Sequence, residues 1–181
     1  MKRIICALLV FALLVPANIV AAQELAQGSP LADAVARYLE SMEYEYGFDD
    51  DQMLFSYSVA LGYSLEACNV LILILDDGLI VYAYPPIRAD FEDSAALAKA
   101  AEFIARANYD MILGNFELDF HDGEVRYKTS AICFENVPSK EELERLIDIP
   151  PIMVNRYGDA LASVLKGTSD PGSAIREAES K

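Results

Sequence analysis

Histidine is nearly missing from this chain, with His121 the only one, and cysteine is scarce, with three residues and no C-x-x-C pair. A structural zinc site draws its four ligands largely from those residue types, and a histidine base needs a positioned partner, whereas His121 has no Ser or Cys nucleophile near it in sequence. Neither chemistry has its material here. Basic residues are also few: 14 Lys and Arg stand against 29 Asp and Glu, for a formal charge of −15. A surface that acidic repels phosphate backbones and anionic headgroups, which argues against nucleic-acid and peripheral membrane binding. The acids do not spell a calcium loop, because Asp49-Asp50-Asp51 and the stretch 119–124 lack the Asp-x-Asp-x-Asp-Gly spacing with a distal Glu. With no phosphate loop, metal set or nucleophile–base pair, the expectation is a non-enzyme that uses no cofactor.

What is present begins with a leader. Met1-Lys2-Arg3 is a short basic head, Ile4 to Val15 an apolar run, and Val20-Ala21-Ala22 a small-residue stretch before Gln23. This is the order of a secretory signal peptide cleaved after Ala22, and the run is shorter than the ~20 residues of a spanning helix. An uncleaved anchor over Ile4 to Ala22 is the alternative, and it would place Pro16 and Asn18 within the bilayer. Cleavage removes Lys2 and Arg3, taking −15 to −17, and leaves a secreted or periplasmic protein free of the membrane. Residues 23–29 then read as a flexible lead. The rest folds, since 54% of the residues are hydrophobic. Cys68 and Cys133 remain, and the sequence leaves open whether they pair or stay as two buried thiols.

Apolar periodicity orders the main domain, residues 30–166. Leu31, Val35, Tyr38, Leu39 and Met42 recur at helical spacing, so a first helix is expected from Pro30 to Glu43, with Ser29 as its N-cap. "YEYGF" and "MLFSYSVAL" follow as extended segments. "NVLILILDDGLIVYAY", Asn69 to Tyr84, is a hairpin closed at Asp76-Asp77-Gly78. An Ala-rich helix comes next, carrying Leu97, Phe103 and Ile104, and then a second hairpin turning at Asp122-Gly123. Ser139 and Glu142 form a capping box for the last helix, and Pro150-Pro151 predicts a kink or break near Asp148. Residues 167–181 read as a disordered polar tail. The expected fold is α+β, a single antiparallel sheet of about five strands with three helices, in the order α-β-β-β-α-β-β-α.

The first hairpin carries the strongest hint of function. A half-exposed strand alternates apolar with polar residues, but Val70, Ile72 and Ile74 face Leu71, Leu73 and Leu75 across one strand. Leu79, Val81 and Ala83 oppose Ile80, Tyr82 and Tyr84 on the other. Both faces therefore call for cover, and each wet Leu forfeits roughly 1.5–3 kcal/mol. The cover is either the domain's own helices, a second copy, or a client chain. Leu71, Leu73, Leu75, Leu79 and Val81 are the candidate partner or dimer surface. Asn108 reads as a helix-end cap, Gly114 as a turn residue and His121 as a solvent-facing turn residue.

"AEFIARANYDMILGNFELDFHDGEVRYKTSAI", "SKEELERLI" and "NRYGDALASVLKG" together resemble the bacterial YbjN-like family of sensory transduction regulators. The positions that carry the likeness are Asn108, Gly114, Phe116, Asp122, Gly123, Tyr127, Arg156, Tyr157, Ala160 and Leu161, between Glu102 and Gly167. Pro150-Pro151 and the leader depart from the family's pattern. The resemblance implies a fold similar to type III secretion chaperones, frequent dimers and no catalysis. The expected function is a non-enzymatic binding or regulatory module outside the cytoplasm, acting by homodimerisation or by holding a partner polypeptide. A small-molecule sensor or carrier, with an apolar pocket between helices and sheet, is the alternative.

Overall fold

A computed structural model describes residues 29–180 apart from 63 and 135. The leader, and the flexible lead up to residue 28, lie outside the described residues. In chain order the elements are α1 (Pro30–Ser41), β1 (Gly47–Asp49), β2 (Leu54–Ala60), β3 (Ala67–Leu75) and β4 (Gly78–Tyr84). Then come α2 (Ser94–Asn108), β5 (Asn115–Leu118), β6 (Val125–Ile132), α3 (Lys140–Leu165) and α4 (Pro171–Glu179). All strand pairings are antiparallel, in one sheet ordered β1-β2-β3-β4-β6-β5. The α+β class and the single antiparallel sheet agree with the sequence, with one more strand and one more helix than expected.

The helices start where their caps are. Ser29 accepts a bond from the Ala32 amide, Asp93 accepts from Ala95 and Ala96, and Ser139 with Glu142 completes a capping box. α3 is the spine of the helical layer, touching α1, α2 and α4 and lying across β3, β4 and β6. It runs unbroken through Pro150 and Pro151, both buried, so the expected break does not occur. A proline at 150 cannot donate to the carbonyl of Leu146, one turn back. Thr129 of β6 supplies that donor: its hydroxyl, on a residue 1% exposed, bonds the Leu146 carbonyl at 2.6 Å. The sheet thus repairs the helix.

One further expectation needs correction, and one question the sequence left open is answered. Residues 170–180 are not a disordered tail. Asp170 caps α4, Pro171 sits at its first position, and Ala174, Ile175 and Ala178 are buried against α2 and α3. Arg156 on α3 donates to the carbonyls of Ala178 and Glu179, satisfying the end of α4. The cysteines are both free. Cys68 lies near the start of β3, whereas Cys133 follows Ile132, which pairs with Gly78 opposite Leu75 at the far end of that strand. Six or so residues of strand separate the two ends, about 20 Å, and a disulfide spans less than 7 Å between Cα atoms.

Candidate functional site: the open face of the sheet

Alternation divides the sheet's side chains between two unlike environments. One set points into the helical layer: Phe55 and Tyr57 of β2, Val70, Ile72 and Ile74 of β3, Leu79, Val81 and Ala83 of β4, and Val125, Tyr127 and Thr129 of β6 are all buried. The opposite set is only partly covered. Leu54, Leu71, Leu73, Ile80, Tyr82 and Tyr84 are intermediate, while Ser56, Ser58, Leu75 and Ile132 are exposed. The helices account for one face of the ribbon and leave the other open. Cover on both sides, as the sequence demands, is met within the described residues on one side alone.

This geometry separates the five candidate surface residues. Leu71, Leu73 and Leu75 stand on the open face, Leu75 at 40% exposure. Leu79 and Val81, at 0%, point into the core and are unable to touch anything on that face. Register puts their neighbours there instead: Leu73 pairs with Ile80 and Leu71 with Tyr82. The sequence contained both alternatives, and the two-residue turn Asp76-Asp77 decides between them. It fixes the register so that Ile80 and Tyr82, not Leu79 and Val81, share a face with Leu71 and Leu73.

Cross-strand rows give the surface a gradient. Leu54, Leu73, Ile80 and Ser130 line up at one end, and Ser56, Leu71, Tyr82 and Lys128 form the next row. Toward β5 the face becomes charged. Glu117 accepts from Arg126 Nε at 2.8 Å and from Lys128 Nζ at 2.5 Å. The Arg126 guanidinium lies 4.3 Å from the Tyr82 ring centroid, and the Tyr82 and Tyr84 rings are 5.9 Å apart. Burial pushes the Glu117 carboxyl up, and the bonds from Lys128 and Arg126 more than reverse this, holding it below its ordinary value. For Arg126, burial opposes the charge, and the bonds to Glu117 and Tyr84 outweigh it. Both groups are locked as ions. The outcome is an apolar patch bordered by two tyrosines and a fixed cation–anion cluster.

The positions shared with the family resemblance lie on the other side and hold the fold together. Phe116 packs edge-on to Tyr127 at 4.9 Å and to Tyr157 at 5.8 Å, joining the second hairpin to α3. Gly114, at φ +80°, passes so close to β6 that a Cβ would lie 2.5 Å from the Lys128 carbonyl oxygen. Asn108 is not a helix cap; Tyr109 occupies that position. Its side chain accepts from the Phe116 amide at 2.7 Å and donates to the Phe116 carbonyl at 2.9 Å, acting as a one-residue strand along the outer edge of β5. His121 is exposed in the hairpin loop, where its backbone amide bonds Asp119.

Two features escape sequence reasoning. Tyr38 donates to Asp148 at 2.6 Å between α1 and α3, and burial pushes the Asp148 carboxyl up against the lowering effect of that bond. Tyr57 Oη and Asp148 Oδ1 are buried without a hydrogen-bond partner among the described residues. The second is a groove of about 610 Å³ between the loop 109–113, α3 and the end of α4. Met111, Ile149, Met153 and Tyr157 line it, with Arg145 and Arg156 at its side. Among the described residues, no three His, Cys, Asp or Glu side chains are grouped as metal ligands, and no helix is long and apolar enough to cross a membrane.

Comparison with known proteins places this architecture. No curated protein matches the chain. The crystal structure described as "YbjN, a putative transcription regulator from E. coli" superposes with a TM-score of 0.51 at 14% identity, covering 72% of this chain and 92% of the other. That likeness is one of fold. Residues 31–163, most of the described domain, match the family YbjN, described as "putative bacterial sensory transduction regulator". The chain belongs to the YbjN family.

Proposed function

We propose that this protein is a non-enzymatic regulatory module whose open sheet face binds polypeptide, either a partner or a second copy. The observation that carries the reading is the partly covered apolar patch Leu71, Leu73, Ile80 and Tyr82, continued by the exposed Leu75 and Ile132, in a sheet whose other face packs against the helices. A contiguous apolar patch of this kind is costly to keep wet and commonly marks an interaction surface. The family's description as a regulator agrees with a binding role. The basic head, apolar run and small residues of positions 1–22 support a site of action outside the cytoplasm. Mass spectrometry of the exported protein tests this through a mature N-terminus at Gln23.

The binding role is tested by size exclusion with light scattering, on the chain alone and mixed with reduced, alkylated lysozyme as an unfolded polypeptide. The expected result is a dimer or a mixed complex that Leu71→Asp with Tyr82→Asp abolishes while the far-ultraviolet spectrum stays the same. A wild-type monomer that binds nothing would refute the reading. The groove beside Arg145 and Arg156 favours a second reading, a carrier of small apolar anions. A rise in melting temperature with decanoate, lost in Arg145→Ala, would support it, and no rise would exclude it.

A further inference from the structure

We infer that the free edge of β6, from Thr129 to Ile132, accepts an extended, apolar polypeptide with basic flanks as an added strand. The inference rests on the open face being a partner surface, and it names where the partner enters and what chemistry it carries. β5 pairs only with Val125–Lys128, so the far side of residues 129–132 meets no strand among the described residues. Which groups lie there follows from the other edge. The Asn108 side chain holds both backbone groups of Phe116 on the outside of β5. Asn115 and Glu117 therefore turn their backbone groups inward, to Lys128 and Arg126. Alternation along β6 then leaves the N–H and C=O of Ser130 and Ile132 on the free side, and directs those of Thr129 and Ala131 to β4. A row of alternating donors and acceptors at strand spacing is complementary to another extended backbone.

On the outer edge of β5 the Asn108 side chain occupies Phe116, and among the described residues no side chain does the same for Ser130 or Ile132. A second unpaired stretch, residues 57–60 of β2 beyond the short β1, offers Ser58 and Ala60 beside it and little apolar grip. The β6 edge leads instead to Ile132, 69% exposed, and Phe134, 78% exposed. On the open face the same patch continues into Leu75, Leu73 and Ile80.

Area and charge select the occupant. Four strands about 4.8 Å apart and about seven residues long give the open face a footprint on the order of 400 Å². That footprint has room for an extended segment laid along the sheet. Asp49, Asp50, Asp51, Asp76 and Asp77 gather at the end of the sheet where Ile132 lies, because the β1–β2 and β3–β4 turns both close there. None of the five makes an ion pair among the described residues. Lys or Arg flanking an apolar strand complements these acids.

The test is a fluorescence titration of the full chain with a synthetic peptide alternating Val and Thr between Lys pairs, beside the same peptide ending in Glu pairs. Ser130→Pro removes an outward donor and leaves the ladder to β4 intact, so it probes the edge without dismantling the sheet. The Lys peptide is expected to bind, to weaken about tenfold or more in Ser130→Pro, and to exceed the Glu peptide by a similar factor. Equal binding by a folded Ser130→Pro overturns the edge assignment, and if Leu71→Asp then abolishes binding, the open-face reading stands alone. No effect of either variant overturns both. No binding to the wild type, or a dimer that Ser130→Pro splits, also overturns the inference. If Ser130→Pro does not fold, the Lys peptide N-methylated at alternate residues takes its place. Equal affinity of the methylated peptide overturns the edge, and its loss upholds it.

Discussion

Thr129→Val asks whether the sheet repairs the proline-interrupted helix. Valine keeps the shape and removes the hydroxyl that bonds the Leu146 carbonyl at 2.6 Å. That carbonyl has no second donor from its own helix, because residue 150 is proline. The substitution therefore leaves a buried acceptor unsatisfied, at a cost of about 1–3 kcal/mol. At about 2–4 °C per kcal/mol, melting should fall by about 2–12 °C. Urea unfolding of four chains isolates the cause: wild type, Thr129→Val, Pro150→Ala and the double variant. Pro150→Ala restores a backbone donor to the Leu146 carbonyl, so Thr129→Val in that background should cost less than ~0.5 kcal/mol. The cycle should show a coupling of about 0.5–3 kcal/mol, against the roughly 0.3–0.5 kcal/mol scatter of independent sites. Equal costs in both backgrounds would refute the reasoning, whatever the size of the single effect.

Other outcomes follow from the same contacts. Glu117 is held below its ordinary value of 4.5, so its contribution is fully present above that value and is lost as pH falls through the lower folded value. Glu117→Gln should therefore lower stability at pH 7 and lessen the loss on acidification, and a pH-independent difference in urea midpoint would contradict this. Tyr38→Phe removes the donor to Asp148, raising that carboxyl further. The variant should lose about 1–3 kcal/mol near neutrality and less in acid, where the carboxyl is protonated; a loss that grows toward acid would sink the assignment. Asn108→Ala unseals both backbone groups of Phe116, and faster amide exchange at Phe116 with a destabilisation of ~1–3 kcal/mol is expected.

The layers of the fold were legible because each rests on a local signal. The capping box at Ser139, the Asp-Gly turns and the non-alternating hairpin all marked real elements. What escaped depended on partners remote in sequence. α4 buries one proline, two alanines and one isoleucine, too little apolar surface to stand out, although Asp170-Pro171 is a cap followed by a first-turn proline. Pro150 looks like a helix breaker until Thr129, 21 positions earlier, is placed beside Leu146. Of the five candidate residues, Leu71, Leu73 and Leu75 lie on the open face and Leu79 and Val81 in the core, because periodicity defines two faces without saying which one the helices take. Asn108 was noticed, but its role along β5 required the hairpin to be in place.

Hydroxyl-radical footprinting of the chain with and without its bound polypeptide probes the open face most directly, using mass spectrometry to read single side chains. Leu71, Leu73, Tyr82 and Tyr84 should lose reactivity together on binding, while Tyr109 and Ile112, exposed beside the groove of the 109–113 loop, should keep theirs. Unchanged reactivity at those four residues, or protection that appears at Tyr109 and Ile112 instead, would contradict the claim that the sheet's uncovered side is where this protein binds.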